Sequence, residues 1–227
     1  MADETFKLVI GDKNYSSWSL RPWLLMTHAN IPFSEVSVRL RQPDTREQIL
    51  KYSPSGQVPA LLWRDIVVPD SLAICETLAE LFPEKGLLPS DPLARARARS
   101  AAAEMHSGFM DLRREMPMDI VGHMPGQGHT PEALAAAQRV NTLWAELRET
   151  YGRRHPEDKG FLFGRFGVAD AMYAPVVTRF ATYEVKPEGL GDRQGLAAAY
   201  MQTILRLPAM QLWAQGAKAE MQARGTL

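Results

Sequence analysis

A single cysteine, Cys75, stands in a chain of 227 residues. An internal disulfide is therefore excluded, and a fold stapled by disulfides with it. Five scattered histidines and one thiol make no cluster of metal ligands, so no metal is expected. Net charge is missing as well. The 26 Lys and Arg balance 26 Asp and Glu, which leaves no basic footprint for nucleic acid. No stretch is long and apolar enough to span a bilayer, and the opening Met1–Lys7 is acidic and passes directly into a strand. No membrane partner and a cytoplasmic location are the expectation. Nor is there a Gly-x-Ser-x-Gly elbow, which speaks against a serine acting as an acyl nucleophile. What is present is ordinary globular usage, 45% apolar and 23% charged, in a chain long enough for one large or two small domains.

The run Asn14-Tyr15-Ser16-Ser17-Trp18-Ser19-Leu20-Arg21-Pro22-Trp23 sets hydroxyls where an apolar strand, Phe6 to Gly11, passes into a helix. The first N–H groups of a helix lack intrahelical partners and the helix dipole adds positive potential, so a phosphate, carboxylate or thiolate is favoured there. Ser16, Ser17 and Ser19 are candidate caps, and Pro22 reads as a first-turn proline. Plain capping accounts for a lone serine equally well. Further on, Ser53-Pro54-Ser55-Gly56-Gln57-Val58-Pro59-Ala60-Leu61-Leu62 is followed by Pro69-Asp70-Ser71-Leu72-Ala73-Ile74. A proline at the start of a would-be strand marks a special turn.

In this order and spacing the three segments resemble the amino-terminal, thioredoxin-like domain of a glutathione S-transferase, a resemblance that extends over essentially the whole chain. It implies glutathione as co-substrate. It also implies a cis Val58–Pro59 whose backbone, beside Gln57, pairs with the cysteinyl part, and Asp70 and Ser71 holding the γ-glutamyl end. Ser71 reads equally as the plain N-cap of the next helix. The run Ser16-Ser17-Trp18-Ser19-Leu20-Arg21 resembles the Ser-Ser-Cys-x-Trp-Arg run of the zeta class, which includes maleylacetoacetate isomerases, with Trp18 in place of the cysteine and Leu20 in place of the tryptophan. That resemblance makes Ser16 the thiolate contact and Ser17 a second donor or cap, while Tyr15 is the competing hydroxyl. Cys75 sits mid-helix in Leu72–Leu78 and reads as a small core hydrophobe, against a mechanism using the protein's own thiol.

The chemistry asked of Ser16 has a size. A thiol of pKa ~8.5 is only about 3% thiolate at neutral pH, and lowering that pKa by roughly two units takes about 2.7 kcal/mol. A hydrogen bond to a charged group contributes roughly 1.5–3 kcal/mol and a helix N-terminus about 0.3–1. One hydroxyl and one helix end suffice, with no general base.

Up to residue 84 short apolar runs at Leu8–Ile10, Val36–Leu40, Ala60–Trp63 and Ile66–Val68 alternate with helical segments at 20–30, 44–52 and 71–82. That order is β-α-β-α-β-β-α, an α/β domain of thioredoxin-like type. A Pro-rich linker follows, and then helices at 91–116, 131–151, 167–183 and 194–221. The expected architecture is that of the resembled family: residues 1–84 bind glutathione, 85–92 link, and 93–227 form an all-helical substrate and dimer domain. Near residue 167 the family's helix-start signature, a Ser or Thr cap, two residues and then an Asp, is met by Gly167 in place of the cap with Asp170 following. Asp170 is expected to reach back to the backbone in a structural role.

The electrophile is expected between the domains, on the first long helix of the helical part. There Met105, Phe109, Leu112 and Met116 recur at helical spacing as a core stripe, and His106, Met110 and Arg113 fall on an adjacent face. With Tyr15 and Trp18 those three are the electrophile-site candidates, offering an apolar platform, a donor and a cation to a small apolar or acidic electrophile. His106 reads equally as an ordinary exposed histidine. The resemblance further implies a homodimer, to which the Arg95–Arg99 face offers charge, with Glu104 reaching the neighbour's γ-glutamyl site. The competing reading is a non-catalytic binding or regulatory protein on the same fold.

Overall fold

The computed structural model describes residues 6–192 and 194–226; the acidic opening Met1–Thr5, like residues 193 and 227, lies outside the described residues. Strand β1 (Phe6–Ile10) sits inside a four-stranded sheet. It runs parallel to β2 (Phe33–Ser37) and antiparallel to β3 (Ala60–Trp63), and β4 (Ile66–Pro69) completes the order β2-β1-β3-β4. Side chains alternate across it, as the period of two requires. Phe6, Leu8, Ile10 and Leu61 enter the main core with α1 (Ser17–His28) and α3 (Ser71–Leu81), while Val9 and Ala60 pack on the other face with Ile49 of α2 (Thr45–Leu50).

Strand β2 lies three residues earlier than the apolar run Val36–Leu40 suggests. The Val38 N–H still reaches the Ile10 carbonyl (2.8 Å), but the Leu40 N–H turns to Asp12 Oδ2 (2.9 Å), and the ladder stops. Helix α1 starts earlier than residue 20, so Pro22 lies inside it and not in its first turn. Having no N–H, Pro22 leaves the Trp18 carbonyl without its intrahelical donor.

The helical part comprises α4 (Pro92–Ser107), α5 (Met110–Glu115), α6 (Pro131–Leu147), α7 (Val168–Tyr183), α8 (Leu196–Leu205) and α9 (Pro208–Ala223). Two expected helices are each broken in two. The 91–116 stretch breaks at Gly108, where a Cβ would meet the Glu104 carbonyl at 2.8 Å, and Phe109 follows with φ 61°. The 194–221 stretch breaks before Pro208, whose ring disfavours helical backbone at Leu207.

Helix α7 is buried on nearly every side and packs against α1 and α4. Its start explains Gly167: the Val168 N–H bonds the Leu87 carbonyl at 2.9 Å, and a Cβ on Gly167 would meet that oxygen at 2.5 Å. Asp170 reaches back as expected, accepting from the Gly167 and Leu162 N–H groups at 3.0 Å each. One apolar cluster runs from Phe6 through Leu24 to Trp144 and Trp213, so sheet and helices share a core. Among the described residues no helix is long and apolar enough to cross a membrane, and no group of side chains is arranged to hold a metal.

Candidate active site

The loop from β1 to α1 is clamped from the helical part. Trp213 Nε1 donates to the Lys13 carbonyl (2.8 Å), Glu220 accepts the Lys13 N–H (2.9 Å), and Arg224 pairs with the buried Asp12. The Lys13 ammonium lies over Trp23 and Trp213 and pairs with Glu35 (2.7 Å). Asn14 is tied to Asp119 (2.9 Å) and to the Val121 N–H (3.0 Å). The Asp12 carbonyl accepts from Ser16 N–H (2.8 Å), which brings Ser16 to the N-cap of α1.

Ser16 Oγ accepts the Ser19 N–H (3.3 Å) and its hydroxyl donates to Ser19 Oγ (2.7 Å), which also accepts the Gly11 N–H (3.0 Å). Ser19 is thus a second member of the hydroxyl pair, legible beforehand only in the i, i+3 spacing. Ser17 is buried in the first turn. Tyr15 lies under the Arg41 guanidinium, 4.8 Å from ring centre to Cζ.

The other two segments follow, with the N-cap of α3 at Asp70 and not at Ser71, which is the first residue of the helix. Val58–Pro59 is cis, Gln57 is exposed and Val58 half-buried. Asp70 has φ 80°, the left-handed side where a non-glycine residue is uncommon, and Oδ1 caps α3 by accepting from Leu72 and Ala73 (2.9 and 3.0 Å). Its Oδ2 meets His106 Nε2 at 3.0 Å, a link between sheet and helical parts that periodicity does not reveal.

Trp18 gathers the remaining groups. The Arg21 guanidinium lies 4.1 Å from the centre of its ring and that of Arg113 4.7 Å, and His106 meets its edge at 5.4 Å. The break at Gly108 changes the expected shared face: His106 and Arg113 both reach Trp18, but Met110 begins α5 66% exposed. Met105, Leu112 and Met116 are core, as the stripe implied. Burial lowers Arg113, and burial together with Arg113 lowers the interior Arg21 to about 9. Burial pushes the Cys75 thiol far above its ordinary range, which removes it as a nucleophile.

The charges expected to face a partner have partners within the chain. Glu104 is held by Arg139 of its own chain (2.8 and 3.0 Å), and Arg97 and Arg99 pair with Glu146 and Glu76, so these charges are already used. A groove of about 1060 Å³ opens along α3 and α4, lined by Glu76, Arg95, Tyr151 and Phe163 among others, and contains none of Ser16, Trp18, Pro59 or Ser71.

Residues 15–81 match the family "Glutathione S-transferase, N-terminal domain". Glutathione S-transferase 1 of Dianthus caryophyllus is 34% identical over 183 residues, 78% of this chain and 78% of that one. The chain belongs to the glutathione S-transferase family. A second relative, the probable maleylacetoacetate isomerase of Caenorhabditis elegans, is 32% identical over 97 residues; the match spans 43% of this transferase and 45% of that protein. A Burkholderia glutathione transferase homologue, whose structure has bound glutathione, shares the fold with a TM-score of 0.65 at 20% identity, covering 95% of this chain and 98% of that one. The thioredoxin-like sheet followed by helices is therefore the glutathione transferase architecture.

Proposed function

We propose that this glutathione transferase ionises the thiol of glutathione at Ser16 and delivers it to a small apolar or acidic electrophile seated against Trp18, His106 and Arg113. The observation that carries the reading is the Ser16–Ser19 hydroxyl pair at the N-terminus of α1. A hydroxyl both donates and accepts, so Ser19 turning its hydrogen toward Ser16 Oγ releases the Ser16 hydrogen to a thiolate. The charge then rests on one hydroxyl and one helix end, the combination sized above. In this reading residues 1–84 bind glutathione, with Gln57, Val58, Pro59, Asp70 and Ser71 around the peptide, and residues 93–227 shape the electrophile side. Addition and isomerisation share the thiolate step. Retention on immobilised glutathione together with turnover of an aryl halide tests the reading; retention without turnover of any electrophile in a broad panel favours a binding protein instead.

Asp70 serves the amino end of glutathione while it caps α3. Asp70→Ala is expected to raise the glutathione KM roughly tenfold and to leave kcat within about twofold, because uniform binding is what it removes. Steady-state kinetics at varied glutathione check this, and an unchanged KM counts against the role.

The protein is further read as a homodimer. Leu50, Ile66 and Leu93 leave large apolar side chains exposed on α2, β4 and α4, which suits pairing of the sheet part of one subunit with the helical part of another. Light scattering is expected to give twice the chain's mass; a fully active monomer removes the idea.

A further inference from the structure

Ser16 is anchored at two points. Its hydroxyl is tied to Ser19, and its N–H donates to the Asp12 carbonyl at 2.8 Å, an oxygen that also accepts the Tyr15 N–H at 3.2 Å. That carbonyl belongs to the Asp12–Lys13 peptide group, whose other polar atom is the Lys13 N–H. The peptide is trans and planar, so its C=O and N–H point opposite ways and turn together. Whatever holds the Lys13 N–H therefore aims the oxygen that places Ser16.

The holder is Glu220, on α9. Its Oε2 accepts the Lys13 N–H at 2.9 Å, and among the described residues no main-chain carbonyl takes that hydrogen. Arg224, one turn on at 3.9 Å, steadies the carboxylate. A carboxylate is a stronger acceptor than a neutral oxygen, and it polarises the peptide so that the carbonyl at the far side accepts more strongly. Trp213 and Arg224 hold neighbouring groups. Trp213 binds the Lys13 carbonyl, which belongs to the next peptide, and Arg224 binds the Asp12 side chain. Of the three contacts, only that of Glu220 falls on the peptide group that carries Ser16.

We infer that Glu220 is a positioning residue for Ser16: through the Asp12–Lys13 peptide it fixes the hydroxyl in the place where a thiolate can use it. The inference rests on the glutathione reading above. It gives α9, which supplies no group to glutathione in that reading, a part in the thiolate step.

Thiolate absorbance of bound glutathione, titrated against pH, tests it with two variants of equal charge. Glu220→Gln keeps an acceptor for the Lys13 N–H, and Glu220→Ala keeps none. Relative to Glu220→Gln, Glu220→Ala is expected to raise the pKa of the bound thiol by roughly half to one unit and to lower kcat at neutral pH roughly threefold to tenfold. The glutathione KM should stay within about twofold. In a Ser16→Ala background the same exchange should add almost nothing, because the effect runs through Ser16. Equal thiol pKa values in the two variants, or a shift that persists in full without the Ser16 hydroxyl, overturn the inference. A purely structural Glu220 would give the first of these, with no more than a lower denaturant midpoint in Glu220→Ala. If Glu220→Ala does not fold, Glu220→Leu, which fills the space without an acceptor, decides by the same criterion. A wild type whose bound thiol titrates like free glutathione overturns the glutathione reading, and this inference with it; a depressed wild-type pKa that both variants leave in place overturns this inference alone.

Discussion

Ser16→Ala is expected to raise the pKa of protein-bound glutathione by roughly one to two units, the size of one hydrogen bond to a charged group. At neutral pH kcat should fall roughly tenfold to a hundredfold while glutathione binding changes little, since the lost contact is made to the thiolate alone. Raising the pH should restore much of the loss, because solvent then removes the proton that Ser16 no longer disfavours. Ser19→Ala should produce a partial version of the same shift by removing the group that hydrogen-bonds Ser16. Ser17→Ala should be milder. Thiolate absorbance of the bound complex, titrated against pH, checks all three; an unshifted titration in Ser16→Ala with a large shift in Ser17→Ala or Tyr15→Phe moves the role to that neighbour.

The second large effect is on stability. Asp170 is 1% exposed and is the acceptor for two N–H groups, those of Leu162 and Gly167. Asp170→Ala orphans both, and at about 1–3 kcal/mol for each buried unsatisfied group the expected cost is roughly 2–6 kcal/mol. Asp170→Asn keeps one acceptor and should fall between. Burial pushes the Asp170 carboxyl up to about 7, against the opposing pull of its two N–H partners. The unfolded chain loses this proton near pH ~4, so between about 4 and about 7 the unfolded state binds fewer protons than the folded one. Asp170 therefore makes stability fall as pH rises through that window and level off above it. Denaturant midpoints across pH check both effects: Asp170→Asn should lack this slope, and equal midpoints for wild type and Asp170→Ala would sink the assignment.

Much of this was legible because local chemistry is loud. Strands β3 and β4 and the start of α3 at Asp70 and Ser71 follow from punctuation and periodicity within a few residues, while the same signals left Ser16, Ser17 and Ser19 open as caps of α1. The resemblance added the cis Val58–Pro59, which no spacing shows. The breaks at Gly108 and Pro208 carry signals of their own, but a continuous apolar stripe across Met105, Leu112 and Met116 masks the first. Strand β2 was displaced because the partner of the Leu40 N–H is the side chain of Asp12, distant in sequence. The His106–Asp70 pair arises only when α4 meets the start of α3, and neither stretch alone encodes the distance, whereas the Arg21–Trp18 contact is an i, i+3 contact within α1. Gly167 looked like a departure from a capping pattern and proves to be a steric requirement set by Leu87, eighty residues earlier in the chain.

The clamp on the β1–α1 loop has a consequence for how the protein is made. Trp213, Glu220 and Arg224 secure Lys13 and Asp12 across separations of 200, 207 and 212 residues. A nascent chain that has emerged only through α3 already contains Ser16, Pro59 and Ser71, yet the loop that aims Ser16 still lacks its three long-range contacts from Trp213, Glu220 and Arg224. Competence therefore arrives late on the ribosome, when α9 docks, and a truncated product would display the glutathione-facing residues without presenting a set hydroxyl to a thiol.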